Sequence, residues 1–273
     1  MGVRVQIENF GDIKGVRYQL LTKNYTYSSH IHQFAELFVV LDGELEITVE
    51  GVTERMTPNT AALVFPFQAH KYYSKMINRV AIFVFSDSIL PEFSIVYEGK
   101  VSDRSVFNLS DSTLSALRDR IIDAKDYDVF DLKGCLYFAI QDFLRQVELK
   151  PTSKKPSLPV ERILNYVINH ITESITLESV ANELGYSPKY LSNLISKLFD
   201  MNFSTLVANI RVDRARHLLR ETKKTRSEIC YECGFGSERS FHRQFRKIMN
   251  YSPDQYRKMN FGTIKQGSIR TFK

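Results

Sequence analysis

Apolar positions change their rhythm along this chain, and the change divides it. Over the first hundred residues they come in short runs or alternate with polar positions. Residues 36–41 (Glu-Leu-Phe-Val-Val-Leu) and 44–49 (Glu-Leu-Glu-Ile-Thr-Val) are two such segments, and residues 61–65 and 80–85 look like buried strands. Asp42-Gly43 between the first two predicts a hairpin, while Glu50-Gly51 and Pro58-Asn59 predict further turns. Short strands at this spacing predict a small barrel or sandwich.

From about residue 110 the period lengthens to that of a helix. Leu114, Leu117, Ile121 and Ile122 fit one helix face, and Leu132, Leu136, Ile140, Phe143, Leu144 and Val147 fit a second, longer one. Residues 150–159 hold three prolines and three lysines, the composition of an exposed linker and so of a domain boundary. Beyond it, Val160, Ile163, Leu164, Val167, Ile168 and Ile171 make an apolar stripe. Thr176 is a good N-cap for the next helix, with Ser179 where a full capping box would carry Glu. Residues 204–220 read as one long helix.

That helix separates two copies of one pattern. The first runs from Val180 through Gly185-Tyr186 to Lys197, and the second from Ile229 through Gly234-Phe235 to Lys247. Gly185 and Gly234 stand 49 positions apart; after one inserted residue, Tyr190-Leu191 matches Ser240-Phe241, and Lys197 matches Lys247, at an offset of 50. Each copy is a short apolar helix, a glycine turn and a helix with a polar outward face. This is a helix-turn-helix pattern, whose second helix enters the DNA major groove. Between the two, a rigid strut would hold the reading helices about one DNA turn, roughly 34 Å, apart.

Charge supports this division. The net charge of +6 splits into 16 Lys and Arg against 20 Asp and Glu in residues 1–150, and 21 against 11 in residues 151–273. The basic excess lies on the half that holds the repeat, as a phosphate-binding surface requires. Cys135, Cys230 and Cys233 do not make a disulfide framework. Cys230 and Cys233 fall where the first copy has Ala181 and Leu184, so they are expected to pack in a core rather than bind metal. With no apolar leader and no 18-residue apolar run, the expectation is a cytoplasmic protein with no membrane partner.

The second copy, with Ile229, Gly234-Phe235, Ser240-Phe241, Arg243, Phe245, Lys247 and Ser252-Pro253 followed by Tyr256-Arg257, resembles the AraC/XylS family of transcription regulators. The resemblance spans about residues 160–260. It implies base readers at Lys189, Ser192 and Asn193 in the first copy and at Glu238, Arg239, His242 and Arg243 in the second. Lys197, Arg246 and Lys247 complete the expected DNA-binding set. The family's usual glycine after each reading helix is Asp200 in one copy and Asn250 in the other, two residues that tolerate the left-handed conformation. Ile195 stands where an aromatic is usual.

In the N-terminal half, His30, His32 and Glu36, followed by Gly43 and later by Pro66 and His70, resemble the metal-binding motifs of cupins. On one strand, residues of equal parity share a face, so His30, His32 and Glu36 can point together. Three imidazoles and a carboxylate suit Zn, Ni, Mn or Fe(II). Asn24 stands in place of the motif's first glycine, and His70 comes one residue early. In AraC-type regulators such histidines can instead be structural or line an effector pocket, for which the expected residues are His30, His32, Glu36, Phe38 and His70.

The expected architecture is therefore two-domain α+β, with an N-terminal cupin-like β-barrel and a helical pair followed by an all-α domain of about seven helices. The boundaries are residues 1–105 for the effector domain, 106–149 for a helical dimerisation segment, 150–158 for the linker, 159–262 for the double helix-turn-helix domain and 263–273 for a tail. The expected function is sequence-specific regulation of transcription, not catalysis. Expected partners are double-stranded promoter DNA, RNA polymerase, a small-molecule effector and a second copy of the chain. No cofactor is expected. The alternative is a cupin metal sensor or metalloenzyme, with a divalent metal in the barrel, fused to a DNA-binding module.

Overall fold

The computed structural model describes residues 4–5, 16–151, 157–258 and 268–269. Contacts divide the described residues into two units, one taking in residues 16–28, 34–151 and 268–269, the other residues 4–5, 29–33 and 157–258. The β-rich part consists of β1 (Arg4–Val5), β2 (Val16–Asn24), β3 (Tyr27–Ile31), β4 (Ala35–Asp42), β5 (Leu45–Val49), β6 (Val52–Met56), β7 (Thr60–Val64), β8 (His70–Tyr73) and β9 (Ile77–Phe85). Then come α1 (Pro91–Tyr97), β10 (Lys100–Ser102), β11 (Val106–Asn108), α2 (Asp111–Leu117), β12 (Asp126–Tyr127), α3 (Val129–Gln146) and β13 (Leu149–Pro151). A π-helical turn, Arg118–Ile122, extends α2.

Two five-stranded sheets carry the barrel, in the orders β1-β3-β8-β5-β6 and β11-β7-β4-β9-β2. The second sheet is covered on both faces. Phe38, Val40, Ala62, Val64, Val80, Ile82 and Val84 pack with Leu45, Ile47, Met56 and Tyr72 in the barrel interior. On its other face Leu37, Val39, Leu63, Ala81 and Phe83 pack with Leu117, Leu132, Leu136, Ile140 and Phe143 of α2 and α3. Burial on both faces is why residues 36–41 and 80–85 read as nearly unbroken apolar runs. By contrast β5, covered on one side, alternates buried Leu45, Ile47 and Val49 with exposed Glu46 and half-buried Thr48.

The hairpin expected at Asp42-Gly43 does not form, because β4 and β5 belong to different sheets. The pairing of β4 with β9 shifts register between Val40 and Asp42, and Gly43, at φ 80°, carries the chain across to the other sheet. The crossing is tight: a Cβ at Gly43 would lie 2.8 Å from the Ile77 carbonyl oxygen. The two-residue hairpin sits instead at Glu50-Gly51, between β5 and β6, with Val49 opposite Val52 and φ of 48° and 86° at the two loop residues. Positive φ at both central positions is the backbone a type I′ turn requires.

The other unit comprises α4 (Ser157–Asn169), α5 (Leu177–Leu184), α6 (Pro188–Phe199), α7 (Phe203–Glu221), α8 (Arg226–Glu232), α9 (Glu238–Met249) and α10 (Pro253–Lys258), seven helices among the described residues. Most of the expected linker, and nearly all of the tail, lie outside the described residues; β13 takes residues 150 and 151, and β14 (Ser268–Ile269) pairs with β12. The capping box of α5 forms without a Glu: Ser179 N–H donates to Thr176 Oγ1 at 3.1 Å, and Thr176 N–H donates to Ser179 Oγ at 3.1 Å. At 19 residues, α7 spans about 28 Å at 1.5 Å per residue. Its C-terminal half, through Val212, Ala215, Leu218 and Leu219, packs with Ile229, Cys230, Cys233, Phe235, Phe241, Phe245 and Tyr256.

Candidate DNA-reading surface and barrel cluster

The two copies close their turns alike. Tyr186 N–H donates to the Ala181 carbonyl at 2.9 Å, and Phe235 N–H to the Cys230 carbonyl at 3.0 Å. Gly185 and Gly234 are left-handed, at φ 73° and 77°, as this six-residue closure needs. The next helix begins in each copy at a serine cap, Ser187 accepting from Tyr190 N–H and Ser237 from Ser240 N–H, both at 3.2 Å. Each ends on a left-handed residue, Asp200 at φ 54° and Asn250 at φ 61°. Start and stop are thus 50 residues apart in both cases, and α6 and α9 present matched faces.

Leu191, Ile195 and Phe199 are buried on α6; Phe241 and Phe245 are buried on α9, with Met249 half-buried. Facing the other way on α6, Lys189, Ser192, Asn193 and Lys197 are exposed. On α9, Arg239, Arg243, Arg246 and Lys247 are exposed, and Glu238 and His242 are half-buried, the His242 ring edge-on to Phe241. Three other cations of this domain are ion-paired: Lys224 with Glu232 at 2.5 Å, Arg226 with Asp254 at 2.7 Å, and Arg214 with Glu232 at 4.0 Å. Among the described residues, Lys189, Lys197, Arg239, Arg243, Arg246 and Lys247 form no ion pair, so their charge stays available to an anionic ligand. Cys230 and Cys233 pack in the core, and burial pushes the Cys233 thiol up to about 12, far from the thiolate that a metal site or redox pair would use.

In the barrel, His30, His32, Glu36 and His70 are all buried, and one ligand atom from each lies within 4.8 Å of the others. They do not meet along one strand as their parity suggests, since His30 is on β3, His32 lies in the turn after it and Glu36 is on β4. The carbonyl of Gln68 can only accept, so the 2.9 Å contact assigns the proton to His70 Nδ1. Nε2 of the same ring lies 3.8 Å from Glu36 Oε2. The other oxygen, Oε1, accepts from the Tyr72 hydroxyl at 2.5 Å. Burial, and then the Glu36 charge, hold the Tyr72 hydroxyl well above the usual phenol range, so it stays a donor. Phe38 stacks on Tyr72 at 4.2 Å and packs beside Tyr25 at 5.3 Å. Sequence reasoning left out Tyr72, although it follows His70 by two on β8 and so shares its buried face.

Seven helices carrying two in-register helix-turn-helix units, on a chain that also folds a cupin-type barrel, define a DNA-binding regulator of transcription with an N-terminal effector domain. Residues 180–259 match the family described as a helix-turn-helix domain, and residues 18–82 match the cupin domain. The probable transcriptional regulator LumQ of Photobacterium leiognathi is 23% identical over 242 residues, which cover 88% of this chain and 95% of LumQ. The HTH-type transcriptional activator RhaS of Salmonella newport is 26% identical over 144 residues, about half of each chain (53% of this one, 52% of RhaS). Unsaturated-fatty-acid-bound ToxT from Vibrio cholerae shares the fold, with a TM-score of 0.63 and 15% identity over 94% of this chain and 100% of ToxT. The chain thus combines an AraC-type helix-turn-helix domain with a cupin domain, and the relatives it matches are transcription regulators. Among the described residues, no helix is long and apolar enough to cross a membrane.

Proposed function

We propose that this regulator reads its promoter through α6 and α9 laid in successive major grooves, and that occupancy of the barrel sets how the pair engages DNA. In this reading Lys189, Ser192 and Asn193, with Glu238, Arg239, His242 and Arg243, face base edges. Lys197, Arg246 and Lys247 lie further along the helices and meet phosphates. The observation that carries it is the row of exposed cations on both reading helices that form no ion pair among the described residues, where Arg214, Lys224 and Arg226 of the same domain are paired with acids. A second copy docks on the outward side of α3, where Phe130, Phe138 and Tyr137 are exposed, and RNA polymerase is the downstream partner in the cytoplasm. The chain acts as a regulator rather than an enzyme.

The test is equilibrium binding of the full chain to duplexes it enriches from a random library. Arg239→Ala and Arg243→Ala should each weaken binding by roughly 1–3 kcal/mol and relax preference at particular base pairs. A loss spread evenly over all sequences would reassign them to phosphates, and an unchanged affinity would refute the reading.

A second reading concerns what the barrel holds. A fatty-acid carboxylate, the kind of ligand bound in ToxT, would meet like charge at Glu36. The convergence of three imidazoles and one carboxylate favours a divalent cation instead. His30, His32, Glu36 and His70 would hold it, with the Gln68 carbonyl orienting His70 and Tyr72 orienting Glu36. Such a cation would supply a fixed positive charge that draws the four donors together.

A further inference from the structure

The duplication provides an internal comparison: one helix scaffold, repeated at an offset of 50, carries different side chains at equivalent places. At about 100° per residue, the position two beyond the first buried residue points almost directly away from the buried stripe. That position is Asn193 on α6, two beyond Leu191, and Arg243 on α9, two beyond Phe241; both side chains are exposed. The residues one turn before and after complete an outward row in each copy, Lys189, Asn193, Lys197 on one helix and Arg239, Arg243, Lys247 on the other. Both rows end in a lysine, so the contrast lies at the centre and at the N-terminal end, where reading helices touch base edges.

Resting on the DNA-reading proposal above, we infer that the operator consists of two unlike half-sites, with an adenine under Asn193 where the other half-site has a guanine under Arg243. Asn offers one donor and one acceptor, which match N7 and N6 of adenine; Arg offers two parallel donors, which match O6 and N7 of guanine. Arg239 adds a second fork on α9, so its half-site is the richer in G·C pairs. The α6 half-site, with Asn193 at its centre and Ser192 beside it, has the weaker discrimination. Because both helices start at a serine cap and bury equivalent positions, and because Asn193 and Arg243 are exposed, the two side chains can be exchanged without disturbing the buried side of either helix.

Selection of bound duplexes from a random library by the full chain, followed by the exchanges Asn193→Arg and Arg243→Asn, tests this. The wild type should enrich two different half-sites about one turn apart, each central pair preferred roughly 5- to 150-fold over the wrong pair. Asn193→Arg should convert the adenine preference to guanine in one half-site only, and Arg243→Asn should make the converse change in the other. Thermal melting of both variants alongside the wild type confirms that they fold. Enrichment of two like half-sites, or exchanges that leave both preferences unmoved in folded protein, would overturn the inference while leaving DNA reading intact. No enrichment from the library would overturn DNA reading itself, and this inference with it.

Discussion

At the level of single residues, equivalent positions in the two copies are not equally constrained. Gly185 and Gly234 share a left-handed backbone, which costs a residue with a Cβ roughly 1–2 kcal/mol. Around Gly185 nothing lies within 4 Å of where a Cβ would sit. At Gly234 that atom would come 1.9 Å from the Ile171 carbonyl oxygen, which Arg211 Nε already holds at 3.0 Å. Gly234→Ala should therefore lower the melting temperature well beyond the drop produced by Gly185→Ala; equal drops would show that the α8–α9 turn can yield. Several residue-level features were legible in the sequence because they are local. Asp200 and Asn250 stop their helices in the left-handed region, and both cysteines of the second copy are core residues. The Tyr72–Glu36 hydrogen bond was not legible, since its partners are 36 positions apart on strands of different sheets and meet only where the two sheets pack together.

At the level of elements, turn chemistry misled where tertiary structure overrode it. Asp-Gly is a strong hairpin signal, yet Asp42-Gly43 joins different sheets, because β4 pairs with β7 and β9 on its two sides. The next turn, Glu50-Gly51, looks weaker in sequence and makes the hairpin. The helical pair after the barrel was legible as periodicity, but not its docking onto the sheet, since periodicity tells which side is apolar and not what covers it. Having placed Leu132, Leu136, Ile140 and Phe143 against that sheet, α3 still turns Phe130, 70% exposed, and Phe138, 51% exposed, outward. If a second copy covers them, Phe138→Asp should convert a dimer to a monomer in sedimentation analysis. Its effect on melting should be small, because exposed substitutions seldom move stability by more than about 0.5 kcal/mol. An unchanged sedimentation coefficient would remove α3 from the interface.

At the scale of the whole molecule, the barrel and the helical domain divide the work as they divide the charge, with the net positive half carrying the reading helices. The barrel's four-residue cluster predicts that a divalent cation raises the melting temperature of the full chain. A cation at a hundredfold excess over its Kd adds roughly 2.7 kcal/mol, and His32→Ala should abolish the rise. No shift with Zn, Mn or Ni, in protein shown free of bound metal, would return the histidines to a structural role. The central claim, that one chain reads DNA with two helices held apart by α7, is tested most directly by hydroxyl-radical footprinting on a selected operator. The claim predicts two protected windows about 10–10.5 base pairs apart, of which Arg243→Ala weakens one and Asn193→Ala the other. A single window, or two windows that both variants weaken equally, would contradict it.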